Sequence, residues 1–221
     1  MVTKKRLATI PNVESLKKLC QSLAMLDAIM SPEWDYRYYS FNSKWADGEM
    51  MASMRNGSGD EYFILFNSHG AIMKGFAHES SMSPWASDPE HVWPGVLDQV
   101  PAEFAEFLTE LAFSMAETTF CIWRKNEDSS WQTGEIDYPD EDDPDGSEDL
   151  LFILDGDPKT YQQFAEEYYE ASVDFRTVAS IYEQQPLTSQ MIERLNPKVS
   201  LETIRADLEE ILYPRLDSSE L

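Results

Sequence analysis

Four strand-length runs separated by turn sequences lie between residues 35 and 76 and constrain the fold most strongly. The runs are "DYRYYSF", "EMMASMR", "EYFILF" and "AIMKGF", and the turns between them contain "ADG", "NGSGD" and "NSHG". Glycine and asparagine between runs of this length are typical of hairpin turns, which join antiparallel neighbours. The segment therefore predicts an antiparallel β-meander, against which the rest of the chain has to pack.

Helical periodicity flanks the predicted meander on both sides. From Asn12 to Met30 the apolar residues recur three or four positions apart, and asparagine is a residue type that caps helix N-termini. Further helical patterns begin near Pro158, Thr188 and Ser200. Strands grouped first and helices grouped last are typical of α+β proteins.

A later hairpin and one further strand complete the predicted sheet. The hairpin is formed by "TTFCIWRK" and "SSWQTGEI", and the run "LLFIL" is apolar throughout, which predicts a central strand. We therefore predict a single α+β domain over residues 1–221, with an N-terminal helix, an antiparallel sheet and a C-terminal helical cluster. Division into two domains near residue 100 is the alternative, although no Gly/Ser-rich linker marks it.

Two segments share the pattern L-D-x-x-P-x-x-aromatic-x-x-F, starting at Leu97 and at Leu154. Proline suits the first position of a helix, because its φ is already helical and its missing N–H would be unpaired there. The pattern therefore predicts two helix starts with inward-facing aromatic residues: Phe104, Phe107, Tyr161 and Phe164. A duplicated unit is the alternative explanation of the match.

The formal net charge of −24 limits the possible partners. Lys74 is the only cationic residue between Asn56 and Trp123, so this part of the chain offers no basic patch for a phosphate backbone or an anionic membrane. We expect no nucleic acid and no membrane as partner, and we expect a basic protein instead. Cys20 and Cys121 lie in apolar patterns that predict buried free thiols.

Neither a leader nor a membrane span is predicted. The N-terminal "MVTKKRLATIPNVESL" has no continuous apolar stretch behind its basic residues, and no window reaches the roughly 18 apolar residues of a span. We therefore expect a cytoplasmic protein.

The most acidic segment is "EIDYPDEDDPDGSEDL", residues 135–150, in which nine residues are Asp or Glu. Closely spaced like charges repel one another, and a basic partner would relieve that repulsion. An EF-hand is excluded, because Pro144 interrupts the loop and Phe152 stands where a bidentate glutamate is needed. A looser calcium site and a solvated loop are alternatives. The partner-binding residues predicted here are Asp140, Asp142, Asp143 and Asp145.

A long loop rich in proline, serine and glycine runs from Ala77 to Val100 and carries Trp85 and Trp93. Tryptophans are frequent anchors of protein interfaces, so both are predicted to contact the partner. They would equally serve to pack the loop on the sheet, or to line a small-molecule pocket.

All histidines fall between residues 69 and 91, which raises the alternative of a metal-dependent enzyme. Its ligands would be His78, Glu79 and His91, since imidazoles with a carboxylate form zinc and iron sites. However, Met82 stands where an H-E-x-x-H motif needs its second histidine, and no P-loop or nucleophile elbow is present. The primary prediction therefore has no catalytic residue, no metal and no cofactor.

Three features together resemble the SUKH family in part. They are the "VPAEFAEFL" helix start, the alternating strands before an acidic turn, and the F-x-x-F helix after a strand. The resemblance covers short segments, and here the meander precedes the helix start. SUKH proteins are small α+β proteins found mainly as bacterial toxin-immunity proteins. The resemblance implies an acidic binding protein, which agrees with our prediction of a non-catalytic inhibitor, immunity protein or regulator of a basic partner.

Overall fold

The computed structural model describes residues 4–215, within which the chain forms seven α-helices and six β-strands. The helices are α1 (Lys4–Thr9), α2 (Val13–Met30), α3 (Ser147–Leu150), α4 (Pro158–Tyr168), α5 (Phe175–Tyr182), α6 (Ser189–Leu195) and α7 (Arg205–Ile211). The strands are β1 (Tyr39–Ala46), β2 (Glu49–Arg55), β3 (Glu61–Asn67), β4 (Gly70–Phe76), β5 (Phe120–Lys125) and β6 (Gln132–Thr133). The predicted α+β class is confirmed.

The strands form one antiparallel sheet in the order β1-β2-β3-β4-β5-β6. The first four are the predicted meander, and β5 with β6 is the predicted hairpin. The first run starts later than predicted, because residues 34–36 form a 3₁₀ turn and pairing with β2 begins at Tyr39. In this order the β1–β2 and β3–β4 turns lie at one end of the sheet, and the β2–β3 turn lies at the other.

Helix α2 has the predicted N-cap, Asn12, and ends at the predicted residue, Met30. The Asn12 side chain accepts the Ser15 N–H at 2.9 Å, so one of the unpaired donors at the start of α2 has a partner. The helix then continues to Met30 and buries its apolar residues against the sheet, with Leu16 and Ile29 fully covered.

Two layers cover the two faces of the sheet. The helices pack on one face with side chains such as Ile64 and Met73. The segment 77–119, which contains several 3₁₀ turns, packs on the other face, where Phe104 and Phe107 meet Phe63 in a second core. Both cysteines are buried and unpaired, as predicted.

The run "LLFIL" is not a strand, and this prediction was wrong. Its first residue, Leu150, ends α3, and its last three residues lie in a 3₁₀ turn from Phe152 to Asp155. The Asp143 carboxylate accepts the N–H groups of Glu148 and Asp149, which favours helical turns at this point. Burial does not alternate as in a half-buried strand, since Phe152 is the exposed residue of the run and the other four are buried.

The shared L-D-x-x-P pattern adopts two different conformations. At Pro158 it starts α4, as predicted, and Tyr161 is buried while Phe164 is half-buried. After Pro101 it forms consecutive 3₁₀ turns instead of an α-helix, although Phe104 and Phe107 do face the core. The short pattern fixes where a turn starts, and packing on the sheet decides how it continues.

The prediction of one domain stays a prediction, and residues 1–3 and 216–221 lie outside the described part. Both layers do share the single sheet. Across residues 4–215, every helix is too short or too polar to cross a bilayer.

Asp27 is a fully buried charged residue in the helical layer. Its Oδ2 accepts the N–H groups of Tyr38 and Tyr39, each at 2.8 Å, and its Oδ1 accepts the Tyr161 hydroxyl at 3.0 Å. Burial raises the pKa of Asp27 to about 6, although these hydrogen bonds partly oppose the shift. The carboxylate therefore ties α2 to the start of β1 and to α4.

Lys74 is the buried cation of the opposite face. Its Nζ donates to Glu61 Oε1 at 3.1 Å and to the Glu117 carbonyl at 2.8 Å. The ammonium also lies 5.5 and 6.0 Å from the ring centres of Phe63 and Phe76. Burial lowers the pKa of Lys74, and Glu61 partly opposes that shift. The one cation in the middle of the sequence is therefore a structural residue.

Candidate functional site

Trp85 is held half-exposed at the surface of the segment that covers the sheet. It sits in a 3₁₀ turn whose first residue is Pro84, and its N–H is accepted by the Ser83 hydroxyl at 3.3 Å. Its ring meets Phe76 at the end of β4 edge-on, with centroids 4.9 Å apart. Half of the Trp85 side chain nevertheless remains accessible. Such a supported but exposed indole can contact a partner.

Trp93 is used differently, in packing the loop. Its ring contacts the second core, and its Nε1 donates to the Asp137 carbonyl at 3.1 Å. This bond ties the Trp-rich loop to the acidic segment. Of the two tryptophans predicted to anchor a partner, only Trp85 presents half of its side chain to solvent, whereas Trp93 is half-buried.

His78 holds the start of the same loop to the β2–β3 turn. Asp60 Oδ1 accepts the His78 N–H at 2.9 Å and lies 2.7 Å from His78 Nδ1, while Asn56 Nδ2 donates to Asp60 Oδ2 at 2.6 Å. Partial burial raises the pKa of Asp60, but the bonds from His78 and Asn56 outweigh this and lower it. The His78 ring centre lies 6.2 Å from that of Trp85. His78 therefore orders the loop that carries Trp85.

The three residues of the metal hypothesis do not form a ligand set. His78 is bonded to Asp60, and Glu79 is almost fully exposed with its Oε1 3.9 Å from His78 Nε2. His91 is exposed and its Nδ1 lies 3.0 Å from the Pro89 carbonyl. Across residues 4–215, no three His, Cys, Asp or Glu side chains come together to hold a metal ion. The metal-dependent alternative therefore finds no support in this geometry.

The acidic segment lies directly against the loop that leads to Trp85. The Pro144 carbonyl accepts the Met82 N–H at 3.1 Å and the Ser81 hydroxyl at 3.4 Å. The contact is close, because a Cβ on Gly146 would lie 2.2 Å from the Ala77 Cβ. Two segments that the sequence analysis selected separately are therefore brought together by the fold.

The four predicted aspartates have different roles. Asp140 and Asp142 are exposed, together with Glu141 between them. Asp143 is half-buried and accepts backbone N–H groups at the start of α3. Asp145 is fully buried, and its Oδ1 accepts the Ser147 N–H at 3.1 Å. The Asp145 carboxylate is therefore not accessible in this conformation, and its contact with a partner stays a prediction.

We name the group of Trp85, Glu79, Asp140, Glu141 and Asp142 the Trp85 surface. The hydrogen bond between Met82 and Pro144 joins its two segments, three residues from Trp85 and two residues from Asp142. The group combines an exposed aromatic ring with four exposed carboxylates. This combination suits a cationic side chain, which is attracted by carboxylates and by the face of an indole.

An acidic cleft at the other end of the sheet was missed by sequence reasoning. It has a volume of about 330 Å³ and is lined by the carboxylates of Asp47, Glu49, Glu103 and Glu106 and by His69. Burial raises the pKa of Glu49, and repulsion from Glu106 and Glu110 adds to the shift. The β1–β2 turn and the β3–β4 turn form two of its walls. They lie at the same end of the sheet because successive turns of a meander alternate between its two ends.

Comparison with models of protein families, with curated protein sequences and with solved structures found no match. The partial resemblance to the SUKH family therefore gains no support from these comparisons.

Proposed function

We propose that this chain is a non-catalytic binding protein that holds a basic partner protein on the Trp85 surface, as an inhibitor, immunity protein or regulator does. The observation that carries the proposal is the position of Trp85, half-exposed beside a segment of exposed carboxylates that is hydrogen-bonded to its own loop. Neither feature was predicted to lie beside the other from the sequence.

Electrostatics supports a basic partner. A net charge of −24 attracts a cationic protein over several ångströms and speeds encounter. After encounter, affinity depends on a few buried anchors, and tryptophan is among the residue types that most often provide them. Trp85 is supported by Phe76 from below, so little ordering is needed when a lysine or arginine covers it.

Local order supports binding more than catalysis at this surface. The residues that hold the loop in place are themselves bonded to one another, as His78 is to Asp60 and Pro144 is to Met82. The two buried, unpaired cysteines favour a reducing compartment, and we place the protein in the cytoplasm.

The test uses an octalysine peptide as probe and isothermal calorimetry as readout. Trp85→Ala is expected to weaken binding about tenfold, because it removes the cation–π contact and the apolar anchor. The triple change Asp140→Asn, Glu141→Gln, Asp142→Asn is expected to have a similar effect. Urea unfolding of each variant checks that the fold is intact.

Matched controls lie on the helical layer. Phe175→Ala removes an aromatic residue with 43% exposure, against 50% for Trp85. The triple change Glu167→Gln, Glu193→Gln, Glu210→Gln removes the same amount of charge from exposed positions on α4, α6 and α7. Both controls are expected to change the affinity for octalysine less than twofold. For the triple change, this is about the effect of the lower net charge alone. Equal weakening by both triple changes would show that only total charge matters and would refute the assignment of this surface.

A further inference from the structure

A small polar hollow lies beside β1 and β2, at one edge of the sheet, on the face that the segment 77–119 covers only in part. It has a volume of about 220 Å³, enough for about seven water molecules at roughly 30 Å³ each. Its walls come from the 3₁₀ turn before β1 and from facing residues of β1 and β2. The residues that matter are Trp34, Asp35, Arg37, Ser40, Ser53 and Arg55.

The two arginines of the hollow differ in how many of their N–H donors are already hydrogen-bonded. Four of the five N–H donors of Arg37 are occupied, since its guanidinium binds both carboxylate oxygens of Asp207 and the carbonyls of Ser31 and Pro32. Arg55 is exposed and makes neither an ion pair nor a side-chain hydrogen bond with any residue in 4–215. The donors of the Arg55 guanidinium are therefore available to a ligand, in a chain with 41 acidic residues.

Nearby carboxylates do not cancel the charge of Arg55. Its cross-strand neighbour Glu61 already binds the buried ammonium of Lys74 at 3.1 Å. Asp35 is exposed at the rim, where water screens its charge. The guanidinium carbon lies 5.6 Å from the Phe63 ring centre, which fixes its place above the sheet.

A hydroxyl pair adds a neutral donor to the same hollow. Ser40 and Ser53 face each other across β1 and β2, and their Oγ atoms are 2.6 Å apart. One hydroxyl donates to the other, so one proton of the pair is left to donate into the hollow. Ser53 is almost fully buried, so the hydroxyl pair is held in place by the sheet.

Trp34 supplies a flat apolar wall. Its side chain is 51% exposed, and the Arg37 guanidinium lies 5.6 Å from its ring centre. We propose that this hollow binds a small oxyanion attached to a planar ring, with the carboxylate or phosphate on Arg55 and the serine pair and the ring against Trp34. Guanidinium and hydroxyl donors recognise both kinds of oxyanion. The proposal is independent of the Trp85 surface.

The test follows the indole N–H signal of Trp34 in ¹⁵N-labelled protein, with phenyl phosphate and benzoate as probes. Trp34→Phe assigns the signal. At least one probe is expected to shift it saturably with a Kd of about 1 mM, as befits a ligand of this size. The tighter of the two probes identifies the oxyanion as phosphate or carboxylate. Arg55→Gln is expected to weaken binding about tenfold, because it removes a charge-assisted pair.

Three controls make the proposal refutable. Ser53→Ala is expected to weaken binding about threefold, which tests the hydroxyl pair without touching a charge. Arg176→Gln removes an exposed arginine from α5 and is expected to leave the affinity unchanged. Benzylamine, a cation with the same ring, is expected not to shift Trp34. The site is refuted by an unmoved signal at about 10 mM of both probes, by unchanged affinity in Arg55→Gln, or by an equal response to benzylamine.

Discussion

Asp27→Ala is expected to lower the free energy of unfolding by about 4 kcal/mol, measured by urea denaturation at pH 7. The change leaves three donors without an acceptor in a buried site: the N–H groups of Tyr38 and Tyr39 and the hydroxyl of Tyr161. Each buried donor without a partner costs about 1–3 kcal/mol, and a cavity adds to the loss. A loss below about 1 kcal/mol would show that these bonds do not hold α2, β1 and α4 together.

Asp27→Asn separates the hydrogen bonds from the charge. An asparagine Oδ1 still accepts both N–H groups, and its Nδ2 donates to the Tyr161 hydroxyl. The variant is expected to be at least as stable as wild type at pH 7, because the cost of burying the charge disappears. It therefore serves as a folded reference with the same shape and no titrating group at this position.

The pH dependence of Asp27 has a defined sign. Its pKa is raised from an ordinary value of 3.8 to about 6 in the fold, because burial disfavours the charged form. The folded state thus binds the proton more tightly, so the contribution to stability is fully present below pH 3.8 and is lost as pH rises through about 6. Relative to Asp27→Asn, wild type should gain about 2–3 kcal/mol between pH 7 and pH 4. A constant difference between the two proteins would contradict the shift.

Lys74→Ala is expected to cost about 4 kcal/mol. The change removes a fully buried stem and the ammonium that lies near the rings of Phe63 and Phe76, and it leaves the Glu117 carbonyl without its donor. Lys74→Met keeps an unbranched side chain of similar length, and it is expected to lower the free energy of unfolding less than half as much as Lys74→Ala. The measurement is again urea unfolding, and equal costs of the two variants would show that packing of the stem contributes nothing.

Substitution of Glu61 tests the ion pair that it forms with Lys74. In wild type, Glu61→Gln is expected to cost about 2 kcal/mol, since it leaves the Lys74 ammonium buried without its counter-ion. In the Lys74→Met background the same change is expected to be neutral. As a control, Glu14 and Lys17 form a pair at 2.7 Å on the surface of α2, with Lys17 partly exposed, and breaking that pair should change the stability by less than about 1 kcal/mol. Additive effects at Glu61 and Lys74 would refute their coupling.

Elements with strong local signals were predictable from the sequence. The meander follows from alternating runs and turn residues, and α2 follows from its periodicity and from Asn12. The run "LLFIL" was mispredicted because uniform apolarity does not distinguish a buried strand from a helical turn. Asp143, whose carboxylate accepts N–H groups at the start of α3 and so favours helical turns there, lies outside the run. From the sequence it was interpreted as a surface residue.

The site was predictable in its parts and not in its assembly. Trp85, Asp140 and Asp142 were selected from the sequence, but nothing local places Pro144 against Met82. Contacts between positions 62 residues apart depend on how the whole loop packs on the sheet. Asp27 was missed for a similar reason, since it lies within an apolar helical pattern and its partners come from β1 and α4.

The most direct test of the Trp85 surface is a titration of ¹⁵N-labelled protein with octalysine, following the indole N–H signals of Trp85 and Trp34. The two side chains are 50% and 51% exposed, so they differ in surroundings and not in access. The loop of Trp85 is hydrogen-bonded to the acidic segment through Met82 and Pro144, whereas Arg37 and Arg55 line the same hollow as Trp34. The account predicts that the Trp85 signal shifts saturably and that the Trp34 signal stays in place. An unmoved Trp85 signal, or an equal shift of both, would contradict it.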